Sequence, residues 1–172
     1  MKAVKGDNSA FEELMNPYLK IIYNYICMHV SSQEDSKDVL QDTMLAVWQG
    51  LLGFDHKSGM KTWIFGIARR KIADYYRRFY RNHRNKTIDI LEMSEELHAD
   101  FEIDRVTDQI AVQDAVGTLN DQDKELVYLI FNAQLTYKQV EQITGINEGT
   151  IKSRMYSIRA KLKKQLKEGG YD

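Results

Sequence analysis

Leu135 to Leu166 constrains this chain more than any other stretch, because it reads as two helices joined by a sharp turn. Thr136 followed three residues later by Gln139 is a capping-box pattern, and Leu135 with Val140 is placed for a hydrophobic staple. The first helix is expected to end near Thr144, with Gly145 as the left-handed residue after it. Asn147 caps the second helix, and Ile146 with Ile151 repeats the staple.

The second helix has two unlike faces. Ile151, Met155, Ile158 and Leu162 fall at helical spacing and make a core stripe. Lys152, Arg154, Arg159, Lys161, Lys163, Lys164 and Lys167 cover the rest, with no acid among them. A capped helix, a glycine turn and a basic second helix are the ingredients of a DNA-reading helix-turn-helix. A plain helical hairpin with a solvated basic face is the competing reading.

The remaining helices follow from the same periodicity. Asn8–Val30 reads as helix with Phe11, Leu14, Leu19, Ile22 and Ile26 as core and a kink or break at Pro17. Ser31 and Glu34 form a capping box for a helix burying Leu40, Met44, Val47, Trp48 and Leu51. Asp35, Asp38 and Asp42 share its other face as a solvated stripe, a partner-docking face or, more weakly, a metal or acid–base site. Thr62 can cap a third helix with Ile64, Ile67, Ala68 and Ile72 as its core face. Two more helices are read over Ile110–Leu119 and Asn120–Phe131, with Leu126, Leu129 and Ile130 facing the helix-turn-helix core. No stretch alternates like a strand.

From Arg69 to Lys86 there are eight basic residues against Asp74 alone, interleaved with Tyr75, Tyr76, Phe79 and Tyr80. Cations that follow phosphates, mixed with rings that stack on bases, suit a single or partly opened strand. Tyr75 and Phe79 fit the core instead, Tyr76 reads as exposed, and Trp63 is ambiguous.

A net charge of −1 conceals a segregation. Residues 1–86 carry 14 basic and 9 acidic side chains, residues 87–114 carry 1 and 9, and residues 115–172 carry 9 and 7. Two positive modules separated by an acidic stretch suggest a polyanion partner for each. The expected organisation is all-α: a helical domain at 1–86, an acidic linker at 87–107 with a short helix near Leu91–Leu97 and a solvated His98, and a helix-turn-helix domain at 108–172. A single cysteine, Cys27, allows no disulfide within the chain and fits a reducing compartment, with Cys27 as a buried inert thiol. No leader or membrane span is read, so a cytoplasmic protein without membrane insertion is expected. No nucleophile triad, metal cluster or phosphate-cradling loop is seen, so neither enzyme activity nor a cofactor is expected.

Three motifs in this order resemble those of the extracytoplasmic-function group of bacterial sigma factors. They are DVLQDTMLAVW at Asp38–Trp48, Phe54 followed by TWIFGIARRKIADYYRR, and LTYKQVEQITGINEGTIKSRM. The resemblance implies a dissociable subunit that binds core RNA polymerase, selects promoter DNA and helps to open it. It is implied to work in the bacterial cytoplasm, on the nucleoid when polymerase-bound, and to be held by an anti-sigma factor.

Residue by residue, the resemblance places Asp38, Leu40, Gln41, Asp42, Val47 and Trp48 in the polymerase-docking helix. Phe54, Trp63 and Tyr76 fall in the melting and minus-ten segment, whose Leu52–Thr62 loop would hold a flipped base. Arg69, Arg70, Lys71, Arg77 and Arg78 would hold phosphates there. Thr150, Lys152, Ser153, Arg154, Tyr156, Arg159 and Lys163 would meet the minus-thirty-five duplex. Arg70 stands where the family often has Asn, and Ser157 where it often has Arg, which bears on the promoter sequence read. A stand-alone helix-turn-helix regulator is the alternative, and an enzyme using Asp35, Asp38 and Asp42 a more remote one.

Overall fold

The computed structural model describes residues 8–83 and 106–169. The described part of the acidic segment is limited to its last two residues, and Leu91–Leu97, His98 and Lys86 lie outside it. Seven α-helices and two short helical turns account for the elements described, with no strand among the described residues. They divide into two compact units, α1–α3 and α4–α7.

In the first unit, α1 (Asn8–Cys27) is one helix that includes Pro17. The ring is exposed, and of the kink or break expected at Pro17 the break is absent, since the helix runs through it. Met15, Ile22, Tyr25 and Ile26 are buried, whereas Leu14 is half-buried and Leu19 exposed. Leu19 is exposed although it stands four residues after Met15 and three before Ile22, so helical spacing alone does not decide which apolar side chains are buried.

Helix α2 (Gln33–Gly50) is capped by Ser32, not Ser31: the Ser32 hydroxyl accepts from the Asp35 amide at 3.2 Å. Its buried stripe is Ser36, Val39, Thr43 and Val47, while Leu40, Met44 and Trp48 are half-buried. Two hydroxyls displace larger apolar side chains because each has a buried acceptor. Ser36 donates to the Val30 carbonyl at 3.0 Å and Thr43 to the Val39 carbonyl at 2.7 Å. A 3-10 turn (Leu51–Gly53) leads to α3 (Met60–His83), whose Ile64, Ile67, Ala68 and Ile72 are buried as expected, together with Phe65. Thr62 lies inside the first turn of α3, buried and without a hydrogen-bond partner for its hydroxyl, so it is not the cap.

The second unit opens with α4 (Val106–Gly117) and α5 (Asp121–Val127), the latter capped by Asn120 onto the Asp123 amide at 2.8 Å. The expected helix to Phe131 instead widens into a π turn (Tyr128–Asn132). Then come α6 (Tyr137–Thr144) and α7 (Glu148–Glu168). The Thr136–Gln139 capping box is formed in both directions, and Gly145 takes φ 75°. Asn147 caps α7 by accepting from the Gly149 amide at 2.9 Å. Leu126, Leu129, Val140, Ile151, Met155 and Ile158 form the core, with Leu162 half-buried at its rim.

Candidate nucleic-acid and polymerase interfaces

The outer face of α2 carries Asp38, Gln41, Asp42, Leu45 and Gln49 at helical spacing. Asp38 and Gln41 are exposed, Asp42 is half-buried, and Leu45 is 52% exposed. An apolar side chain ringed by polar ones suits a protein contact, and Leu45 is the member of the Asp38–Trp48 motif that the resemblance did not single out. Leu40 and Trp48 lie half-buried at the margins, with Trp48 edge-on to Phe11 at 4.8 Å. Val47 is fully buried, so it supports this helix from beneath and meets no partner directly.

Two of the three stripe acids are engaged within the chain. Tyr75 donates its hydroxyl to Asp35 at 2.8 Å, and Arg78 donates to Asp42 at 3.1 Å. Burial, and secondarily the bond to Asp35, raise the Tyr75 phenol above its ordinary range. Among the described residues no group of three or more potential metal ligands converges.

The basic–aromatic run occupies the second half of α3. Arg69, Arg70, Arg77, Arg78 and Tyr80 are exposed and Lys71 is half-buried. Arg77 is paired with Asp74 one turn back. Tyr75 and Phe79 are half-buried, and so is Tyr76, contrary to its exposed reading. The Tyr76 hydroxyl donates to the His29 carbonyl at the end of α1. An orphan carbonyl past a helix end is a ready acceptor, and that partner lies 47 residues away in sequence.

Between the end of α2 and α3 runs a cleft lined by Gly50, Trp63, Ile67, Arg70, Lys71 and Asp74, with Ala46 at its side. Trp63 is half-exposed there, and Phe54 packs on it with ring centroids 4.8 Å apart. His56 follows Phe54 at 4.5 Å. The intervening loop is held by the Asp55 carboxylate, which accepts from the Lys57 amide at 3.1 Å and pairs with its ammonium at 2.8 Å. That pairing holds the Asp55 pKa below and the Lys57 pKa above their ordinary values. The structure thus brings Trp63, Arg70 and Lys71 together around one cleft, with Phe54 packed on the Trp63 ring.

In the second unit, the solvent side of α7 presents Thr150, Lys152, Ser153, Tyr156, Arg159 and Lys163, all exposed, with Tyr156 at 78%. Glu148 pairs with Lys152 at 2.7 Å, and that bond raises the lysine pKa. Arg154 is half-buried and donates to Gln122 of α5 at 3.1 Å. Arg159 donates to the Tyr137 hydroxyl at 3.4 Å and lies 5.8 Å from the Phe131 ring centroid. Gln122, Tyr137 and Phe131 hold these arginines from other helices, so their roles depend on tertiary contact and carry no local signature.

The comparisons with known proteins agree with this layout. Residues 10–82 match the family model "Sigma-70 region 2", and residues 109–162 match "Sigma-70, region 4". The chain is 27% identical over 157 residues to the ECF RNA polymerase sigma factor BldN of Streptomyces coelicolor, covering 90% of this chain and 60% of that protein. It is 23% identical over 160 residues to the RNA polymerase sigma factor YlaC of Bacillus subtilis, covering 91% of this chain and 92% of that one.

The fold is shared with the sigma factor RpoE of Bartonella quintana, solved in complex with the anti-sigma factor NepR. There the TM-score is 0.68, with 24% identity, 92% of this chain and 97% of that chain covered. CnrH, solved with the cytosolic domain of CnrY, gives 0.64 at 24% identity, covering 97% of this chain and 94% of that one. Two matched regions in order, each coinciding with one compact unit, establish that the chain belongs to the sigma-70 family, in the extracytoplasmic-function group of RNA polymerase sigma factors.

Proposed function

We propose that the chain binds core RNA polymerase through the outer face of α2, directs it to promoters and helps to open the duplex. It acts in the cytoplasm as a specificity subunit and not as a catalyst, on the nucleoid when polymerase-bound, and an anti-sigma partner holds it at rest. In this reading α7 carries Thr150, Lys152, Ser153, Arg154, Tyr156, Arg159 and Lys163 to the minus-thirty-five duplex. The cleft at Phe54 and Trp63, with Arg69, Arg70, Lys71, Arg77 and Arg78 along α3, takes the opened minus-ten strand.

The single observation that carries this reading is the second basic–aromatic surface. A stand-alone regulator needs the α7 face alone. Here a separate unit offers an indole beside Arg70 and Lys71 in one cleft, a pairing of stacking surface and cations suited to unpaired bases. No helix among the described residues is long and apolar enough to cross a membrane.

The test is transcription. Core polymerase plus this chain should yield transcript starts sharing one upstream motif pair, which also supplies the promoter. On that promoter, Arg70→Ala should lower run-off yield from closed DNA and recover on a template with a pre-opened bubble. Opening costs roughly 1.4 kcal/mol per base step, and the bubble removes that cost. An equal defect on both templates would favour the stand-alone regulator.

A further inference from the structure

Gly50 ends α2 in ordinary right-handed backbone, φ −83° and ψ −11°. Nothing in that conformation asks for glycine, and alanine is the better helix former. The constraint is spatial. A Cβ at this position would lie 3.0 Å from Trp63 Cζ2 and 3.4 Å from Cη2. Carbon atoms at rest sit about 3.5–4.0 Å apart, so the indole would have to give way. At Gly53, Gly66 and Gly117 a Cβ meets nothing within 4 Å and at Gly149 it meets the Asn147 cap at 3.1 Å, so among the described glycines Gly50 is the one that approaches an aromatic ring.

The indole is engaged from the loop as well. Phe54 packs on it at 4.8 Å, with the ring planes 36° apart, and His56 backs Phe54. His56 itself sits at φ 57°, a left-handed conformation that a residue with a side chain adopts at some cost. Trp63 therefore meets both the end of α2 at Gly50 and a loop whose own backbone is constrained. It lines the cleft together with Gly50, Arg70 and Lys71.

We infer that Gly50 is a positioning residue for strand capture. Its missing side chain lets the Trp63 indole lie flush against the end of α2. That sets where the indole meets an unpaired base relative to the Arg70 and Lys71 cations. Gly50 does not touch the strand; it acts through the ring. This inference rests on the reading of the cleft as a contact for opened DNA, and it adds the residue that sets the geometry of that contact.

The experiment uses holoenzyme assembled from core polymerase and the full chain. The probe is a fluorescein-labelled single-stranded oligonucleotide carrying the non-template strand of a mapped promoter. Gly50→Ala should weaken binding about three- to tenfold, a part of what one aromatic–base stack contributes. Thermal unfolding should show the variant folded at the assay temperature, with any loss from crowding the indole small enough to leave it so. With 5-fluorotryptophan at both tryptophans, the fluorine resonance of Trp63 should shift and that of Trp48 should not. Phenylalanine lacks the Cζ2–Cη2 edge, so in a Trp63→Phe background Gly50→Ala should cost no further affinity.

Parental affinity in Gly50→Ala, or an equal penalty in both backgrounds, overturns the inference. A loss of affinity with no shift of the Trp63 resonance also overturns it. If Trp63→Ala itself binds the oligonucleotide as tightly as the parent, the strand-contact reading fails and takes the inference with it. A fluorine shift that persists in Gly50→Ala identifies that case.

Discussion

Arg78 of α3 donates to the Asp42 carboxylate of α2 at 3.1 Å, joining a residue of the proposed DNA surface to one of the proposed polymerase surface. Both side chains remain more than a third exposed, at 54% and 39%. An exposed pair of this kind contributes about 0.2–1 kcal/mol, so it is easily exchanged for another partner. Gln41→Lys should therefore weaken co-purification with core polymerase while shifting stability by no more than about 0.5 kcal/mol, and Asp42→Lys should weaken it too, at a stability cost of about 0.2–1 kcal/mol for the lost pair. Arg78→Ala should leave co-purification intact and reduce only the affinity for DNA. Full retention of polymerase by a folded Gln41→Lys, Asp42→Lys double variant would remove α2 from the docking role.

Arg154, one of the two arginines of α7 in the proposed DNA surface, is already held within its own unit. Gln122 accepts from Arg154 at 3.1 Å, which orients the guanidinium as a supporting side chain should. Arg154→Ala should cost about 1–3 kcal/mol of binding and relax preference at one promoter position. Lys163→Ala should weaken binding to all sequences alike and lower the salt slope by about one. Gln122→Ala should reproduce the Arg154 phenotype in milder form. The measurement is titration against a promoter duplex and its single-position variants at several salt concentrations, and uniform loss for Arg154→Ala would make it a phosphate contact.

Tyr75 supplies a pH signature. Its phenol is raised above the ordinary value of 10.0 by burial first and by the bond to Asp35 second. A group with a raised folded pKa binds its proton more tightly when folded. Its contribution is complete below pH 10 and is lost as pH rises through the folded pKa. Stability should thus fall on the alkaline side from about pH 10 upward, with a shallower fall in Tyr75→Phe. At neutral pH the same substitution should cost about 0.5–1.5 kcal/mol for the lost hydrogen bond. Denaturant midpoints at pH 7 and across the alkaline range measure both.

Gly145 stands at φ 75° between α6 and α7. A side chain there costs about 1–2 kcal/mol, although a Cβ would meet nothing within 4 Å. Gly145→Ala should lower stability by about that amount and Gly145→Asn by less, since Asn tolerates the left-handed region. Equal losses for the two would point to some cause besides backbone strain.

Local chemistry carried most of what was legible. The Thr136 capping box, the Gly145 turn, the Asn147 cap and the Ile151–Met155–Ile158 stripe depend on residues within four positions of one another, and all are present. What escaped depended on backbone acceptors for buried hydroxyls and on packing between helices. The α2 core turned on Ser36 and Thr43 finding backbone acceptors, which no apolar pattern records. Tyr76 looked exposed because its acceptor, the His29 carbonyl, is 47 residues away. The site showed the same division. The cations of α3 and α7 were legible, but the grip of Gln122 on Arg154 and the approach of Gly50 to Trp63 belong to packing.

Two tyrosines tie the exposed end of α3 to the rest of its unit, Tyr75 to Asp35 and Tyr76 to the carbonyl of His29. The arginines that follow them, at 77 and 78, are consequently mounted on a stiff spar. Fixing one residue's backbone costs about 1–2 kcal/mol of entropy, and here that loss is met when the chain folds, before any strand arrives. Association through this segment should then proceed as docking of a preformed surface. Its heat-capacity change should be modest, without the large negative value that marks a segment ordering as it binds.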